Sequence, residues 1–185
     1  MSQGKSNITI IAEIAQGFEG NFEQSKLLIK AAAKAGADAV KFQMVYADEL
    51  STVDYKHYSL FKELEMSDAQ WESLKYYALS FGTKLIVDVF GVKSLKTAEK
   101  ININTIKVHG TDVTNLGLLK AIAISPVKNV ILGLGGAYWA EIEKAIKILK
   151  YKDLILLCGF QGYPTKTVEN QTAIIYAGSK NLLRN

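Results

Sequence analysis

The chain has 185 residues, 49% of them hydrophobic and 22% charged, a balance that excludes disordered and fibrous classes and suits one globular core. The formal net charge of +4 comes from lysines spread along the chain rather than clustered, so it does not point to nucleic acid, and a mild basic balance suits an anionic small molecule. The opening MSQGKSN lacks the apolar core of a signal peptide, no run approaches the ~18 apolar residues of a membrane span, and the one cysteine, Cys158, excludes an intrachain disulfide. These features predict a soluble cytoplasmic protein with a single domain over 1–185.

Residues 8–15, ITIIAEIA, form a β-branched run broken by one acid, Glu13, and predict a buried first strand with its carboxylate near the C-terminal end. Asn21 is placed to cap a helix over 22–34, which Gly36 stops. The second strand, over 38–45, carries Lys41 in a tight apolar run, where a lysine is costly to bury unless an anion or a neighbouring acid meets it. The excursion over 46–65 predicts loop with short helical pieces. Ser67 then opens a helix to about residue 81, with Trp71, Tyr76 and Tyr77 as packing residues and Gly82 as its stop.

The third strand, over 84–90, is interrupted by Asp88, and a helix over 94–100 leads to a fourth strand at 105–109 carrying Lys107. A helix over 115–124 ends before Pro126, and a fifth strand over 129–134 breaks into GLGG. Those glycines either offer backbone amides to a phosphate or make a tight turn. An amphipathic helix over 138–149, a sixth strand over 154–158 and the start of a further helix over 168–177 complete the pattern. His57 and His109 read as a solvated and a hydrogen-bonded histidine, and Cys158 as a buried thiol.

Six strand–helix units in one rhythm imply a parallel α/β sheet with right-handed crossovers. No GxGxxG follows the first strand, and GLGG lacks the spacing of a dinucleotide site. Strands that end in polar or glycine residues favour a TIM-type (β/α)8 barrel, incomplete here because strands seven and eight are absent. Six strands cannot close a barrel, and the exposed edges invite self-association, so a homo-oligomer is expected.

The segments IAEIAQGFEGN, AGADAVKFQ, LFKELEMSDAQWESLKYYALSFG, TIKVHGTDVTNLGLLKAIA and LLCGFQGYPT together resemble the sialic acid synthase (nonulosonate synthase) family, in order from Ile8 to Thr165. The resemblance implies a barrel that condenses phosphoenolpyruvate with an N-acyl hexosamine such as N-acetylmannosamine. It also implies a divalent metal, Mn2+ or Mg2+, on the sugar aldehyde. The metal's histidines belong to strands seven and eight, so no residue of this chain is assigned to it, and the antifreeze-like domain that commonly follows the barrel is not expected within 1–185. Glu13 and Asp112 match catalytic positions of the family, Lys41, Gln43, Lys107 and Tyr163 match substrate-binding ones, and Gln161 stands at a substrate-binding position where the family has asparagine.

This chain departs from the family pattern at several points. Gly17 and Phe18 replace Asn-His, and Val87, Asp88, Val89 and Phe90 replace Ser-Thr-Pro-Phe. Gly110 and Thr111 replace Ser-Gly, Gly133 to Gly136 replace Ser-Thr-Gly-Met, and Cys158 and Gly159 replace His-Cys. Asp88 is expected to repel the phosphoenolpyruvate unless Lys41 or Lys107 neutralises it. A degenerate binding module and a truncated piece of a longer synthase are the alternatives to a working synthase.

Overall fold

A computed structural model describes residues 8–159 and Lys166. Its strands are β1 (Ile11–Ala15), β2 (Ala39–Gln43), β3 (Lys84–Val89), β4 (Thr105–Val108), β5 (Asn129–Gly133) and β6 (Asp153–Leu157), hydrogen-bonded in chain order β1-β2-β3-β4-β5-β6. The helices are α1 (Phe22–Lys34), α2 (Ala47–Leu50), α3 (Tyr58–Glu63), α4 (Asp68–Ser80), α5 (Val92–Lys100), α6 (Leu116–Ile124) and α7 (Trp139–Ile148). This is the expected α/β alternation, with six strands in the order of a TIM-type barrel. The chain divides into two compact units, 1–87 and 88–185, with the boundary inside β3.

In the first unit, β1 and β2 pair in parallel and α1 packs against α4. Asn21 caps α1 by accepting the Gln24 amide at 3.0 Å, and Gly36, at φ 91°, ends the helix in the left-handed conformation. Ser67 and Gln70 form a reciprocal capping box at the start of α4. Phe18, Phe42 and Trp71 are fully buried, with ring centroids 5.6–6.0 Å apart in tilted and edge-on pairs. Phe18, one of the departures from the family pattern, is therefore a core residue that ties the loop after β1 to β2 and α4.

Gly20 lies beside this cluster at φ +69°, and a Cβ there would stand 1.8 Å from the Glu63 carbonyl oxygen. Gly20→Ala therefore combines left-handed strain with a backbone clash. It is expected to lower stability by more than about 2 kcal/mol in urea denaturation. A loss below half that would mean the loop moves aside.

In the second unit β4, β5 and β6 pair in parallel, and α5, α6 and α7 pack in sequence. Ile106, Val108, Val130 and Leu132 of the strands and Leu118, Leu119, Ile122, Ile142 and Ala145 of α6 and α7 are all buried. Asn115 caps α6 through the Leu118 amide at 3.1 Å. Lys152 closes its other end, donating to the Ser125 and Val127 carbonyls at 2.7 and 2.8 Å, and burial pulls its pKa down.

Several expectations need correction. β1 is not a buried strand, since Ile8, Ile10 and Ile11 are exposed, and Ile155 and Leu157 of β6 are 55% and 46% exposed. Both strands end the hydrogen-bonded order, so among the described residues each lacks a neighbour on one side. Cys158, just past β6, is half-buried rather than buried for the same reason. Trp71 packs as expected, whereas Tyr76 on the same helix is exposed. The helix expected over 168–177 lies outside the described residues.

Candidate functional site

In the first unit the β1–β2 register sets Glu13 directly beside Lys41. Lys41 Nζ meets Glu13 Oε2 at 2.5 Å, with side-chain exposures of 5% for the lysine and 52% for the carboxylate. Glu13 is thus not the buried carboxylate expected of a buried strand. It is a rim group whose inner oxygen neutralises a buried ammonium. Its other oxygen accepts the Ala15 amide at 3.0 Å. Ala15 reaches that position through a bulge: the register shifts between Glu13 and Ala15, and Ala15 sits at φ 51°, an uncommon conformation for a residue with a side chain.

The same bulge carries Gln16 to Gln43, whose Oε1 accepts from Gln16 Nε2 at 2.7 Å. Gln16 escapes the sequence pattern because the extra residue is Ile14 and the left-handed one is Ala15, with no glycine to announce a bulge. Once the Glu13–Lys41 register is known, one inserted residue is enough to find it.

In the second unit Lys107 Nζ meets Asp88 Oδ2 at 3.0 Å, with side-chain exposures of 9% and 0%. Asp88 is therefore neutralised by Lys107, one of the two partners that would cancel its repulsion of an anion. After β4 the chain makes a short 3-10 turn (Gly110–Asp112). His109 Nδ1 lies 3.0 Å from Thr111 Oγ1, the hydrogen-bonded histidine expected. Asp112 accepts from Asn115 Nδ2 at 3.2 Å and from Thr111 Oγ1 at 3.4 Å, so its carboxylate is oriented by the turn and the α6 cap together. After β5, Ala137 N–H donates to the Leu134 carbonyl at 3.2 Å and Gly136 adopts φ 80°, a glycine turn of type II character. Gly133 is needed for close approach, since a Cβ there would stand 3.0 Å from the Gly110 nitrogen. Gln161 and Tyr163, both expected to bind substrate, lie outside the described residues.

Residues 28–177 match the NeuB family. The chain belongs to that family. A related protein of Methanocaldococcus jannaschii, itself uncharacterised, is 36% identical over 166 residues, covering 88% of this chain and 49% of its own length. The N,N'-diacetyllegionaminic acid synthase of Campylobacter jejuni is 29% identical over 174 residues, covering 84% of this chain and 52% of its own. The crystal structure of the N-acetylneuraminic acid (sialic acid) synthetase of Leptospira borgpetersenii, in complex with citrate, superposes with a TM-score of 0.86 at 30% identity, over 94% of this chain and 61% of that one. The chain spans about half the length of the curated relatives it matches.

A divalent metal does not fit the described part of this NeuB-family chain. Among the described residues no three His, Cys, Asp or Glu side chains are grouped to hold one. No helix among them is long and apolar enough to cross a membrane.

Cys158 lies on the segment matched to the family's His-Cys, and burial pushes its thiol above the usual value of 9.0. Alkylation by iodoacetamide, followed by mass spectrometry, is expected to be slow at pH 8 and still accelerating above pH 9. A rate that levels off by pH 8 would contradict this and would point to an activated thiolate.

Proposed function

We propose that this chain carries out, or forms the substrate-binding part of, the condensation of phosphoenolpyruvate with an N-acyl hexosamine such as N-acetylmannosamine to give a nonulosonic acid. The observation that carries the reading is a pair of lysines, Lys41 and Lys107, that are almost entirely buried on strands of a NeuB-family chain. A buried ammonium is expensive to maintain, and a substrate bearing a phosphate and a carboxylate gives both lysines a use.

In this reading Lys41 and Lys107 hold the anionic groups, and Glu13 and Gln43 contact the amino sugar. Asp112, held by Thr111 and Asn115, serves as the acid–base group. Gln161 and Tyr163 complete substrate binding. The enol carbon of phosphoenolpyruvate forms a bond to the aldehyde carbon, water adds to the resulting cationic carbon, and inorganic phosphate leaves as the ketone forms. The same proposal places the chain in the cytoplasm as a homo-oligomer, which would cover Ile155 and Leu157 on β6.

Asp88 supports a second reading, binding without turnover, because it already neutralises Lys107. The test is release of inorganic phosphate from phosphoenolpyruvate on addition of N-acetylmannosamine and Mn2+. Sugar-dependent release, reduced ~100-fold or more in Lys41→Ala, is the expected result. Binding of phosphoenolpyruvate with no release would favour the second reading.

A further inference from the structure

Gln16, the residue that the bulge after β1 brings to Gln43, is held in place by its own backbone and by its neighbours. Glu19 donates its amide to the Gln16 carbonyl at 2.9 Å, Gln24 Nε2 donates to the Gly17 carbonyl at 2.6 Å, and Phe18 is fully buried. Gln43 is fixed in turn, since Phe42 and Met44 on either side of it are fully buried. The two side chains therefore meet with little backbone freedom left to lose.

The direction of their hydrogen bond decides what Gln43 offers a ligand. A glutamine amide carries one acceptor oxygen and one donor NH2 group. Gln16 Nε2 donates to Gln43 Oε1 at 2.7 Å, which turns the Gln43 oxygen toward Gln16 and its NH2 group away. Both residues are half-buried, so neither amide is sealed from a ligand. Lys41 lies two residues earlier on β2, and the strand's alternation puts the Lys41 and Gln43 side chains on one face.

We infer that Gln16 is a positioning residue that locks the Gln43 amide, so that Gln43 meets the amino sugar only as a donor, to a hydroxyl or acyl oxygen. This rests on the synthase reading above, in which Gln43 contacts the sugar.

The test has two arms. In the isotope-labelled full chain, nuclear magnetic resonance reads the direction of the bond before any ligand is added. A coupling across the hydrogen bond from Gln16 Nε2 to Gln43 Cδ is expected. Calorimetry then measures N-acetylmannosamine binding to the parent, Gln16→Met and Gln16→Glu. Methionine keeps the length but removes the donor, which frees Gln43 to rotate and should weaken sugar binding about threefold or more. Glutamate only accepts, so it draws the Gln43 NH2 group to itself, turns the oxygen toward the sugar and should cost about tenfold or more. Both variants should keep the parent's melting temperature, and a merely structural contact would not produce this order of affinities. A coupling in the opposite direction, parental sugar affinity in both variants, or no sugar binding at all would overturn the assignment. A parent that shows the coupling and the order of sugar affinities, but neither binds phosphoenolpyruvate nor releases phosphate from it, would overturn the synthase reading and leave the role of Gln16 standing.

Discussion

Lys107→Met is expected to cost about 3–5 kcal/mol of folding stability, because it takes from the fully buried carboxylate of Asp88 the ammonium that lies 3.0 Å from it. Asp88 is fully buried and accepts from Lys107 at 3.0 Å, so removing the cation weakens the neutralisation of a charge that the interior disfavours. Urea denaturation of the two single variants and the double variant Lys107→Met/Asp88→Leu separates the causes. Each single change should lose several kcal/mol, and the double should recover most of it, since an apolar pair of similar size replaces the ions at little net cost. Single variants within about 1 kcal/mol of the parent would show that water reaches the pair and that its burial has little energetic weight. The stakes extend to the anion site, because a less fully neutralised carboxylate on β3 would repel an anion.

The second large effect is at Trp71. It is fully buried against Phe18 and Phe42, and Trp71→Ala is expected to lose about 3–5 kcal/mol through lost contact and the cavity left behind. Its indole Nε1 has no hydrogen-bond partner among the described residues. Trp71→Phe therefore removes an unsatisfied donor along with part of the ring, and its cost should stay under about 1.5 kcal/mol. Thermal unfolding measures both variants. An equal loss in the two would mean that the indole N–H is satisfied and that hydrogen bonding, not volume, matters there. Because Phe42 neighbours Lys41 on β2, loosening this cluster should also disturb the position of the buried ammonium.

Much of the layout was legible in the residues themselves. Asn21, Ser67 and Asn115 begin their helices as caps, and Gly36 and Gly82 stop theirs at positive φ, because these are local signals carried by one or two side chains. The apolar runs of β2 to β5 were equally clear, since strands covered on both faces need continuous apolar residues. The exposure of β1 and β6 was not legible. Their composition is that of buried strands, and only their place at the ends of the hydrogen-bonded order reveals which side lacks a neighbour.

At the candidate site, the roles of Glu13, Lys41 and Lys107 came from spacing and family resemblance, but their ion partners depend on register. The residues alone leave Lys41 and Lys107 as partners for Asp88, and the fold of the second unit brings Lys107 to 3.0 Å from it. The bulge at Ala15, which anchors Glu13 and brings Gln16 to Gln43, left no mark in composition or periodicity. Phe18 departs from the family pattern at a site position, and its burial against Trp71 makes it part of the core.

The most direct test of the anion site is a calorimetric titration of phosphoenolpyruvate into the intact chain, Lys41→Met and Lys84→Met. Lys84, exposed at the start of β3, is the control for loss of one positive charge. Saturable heat from the intact chain and from Lys84→Met, with none from Lys41→Met, is the result the account predicts. Equal heat from Lys41→Met, or no heat from the intact chain, would contradict it.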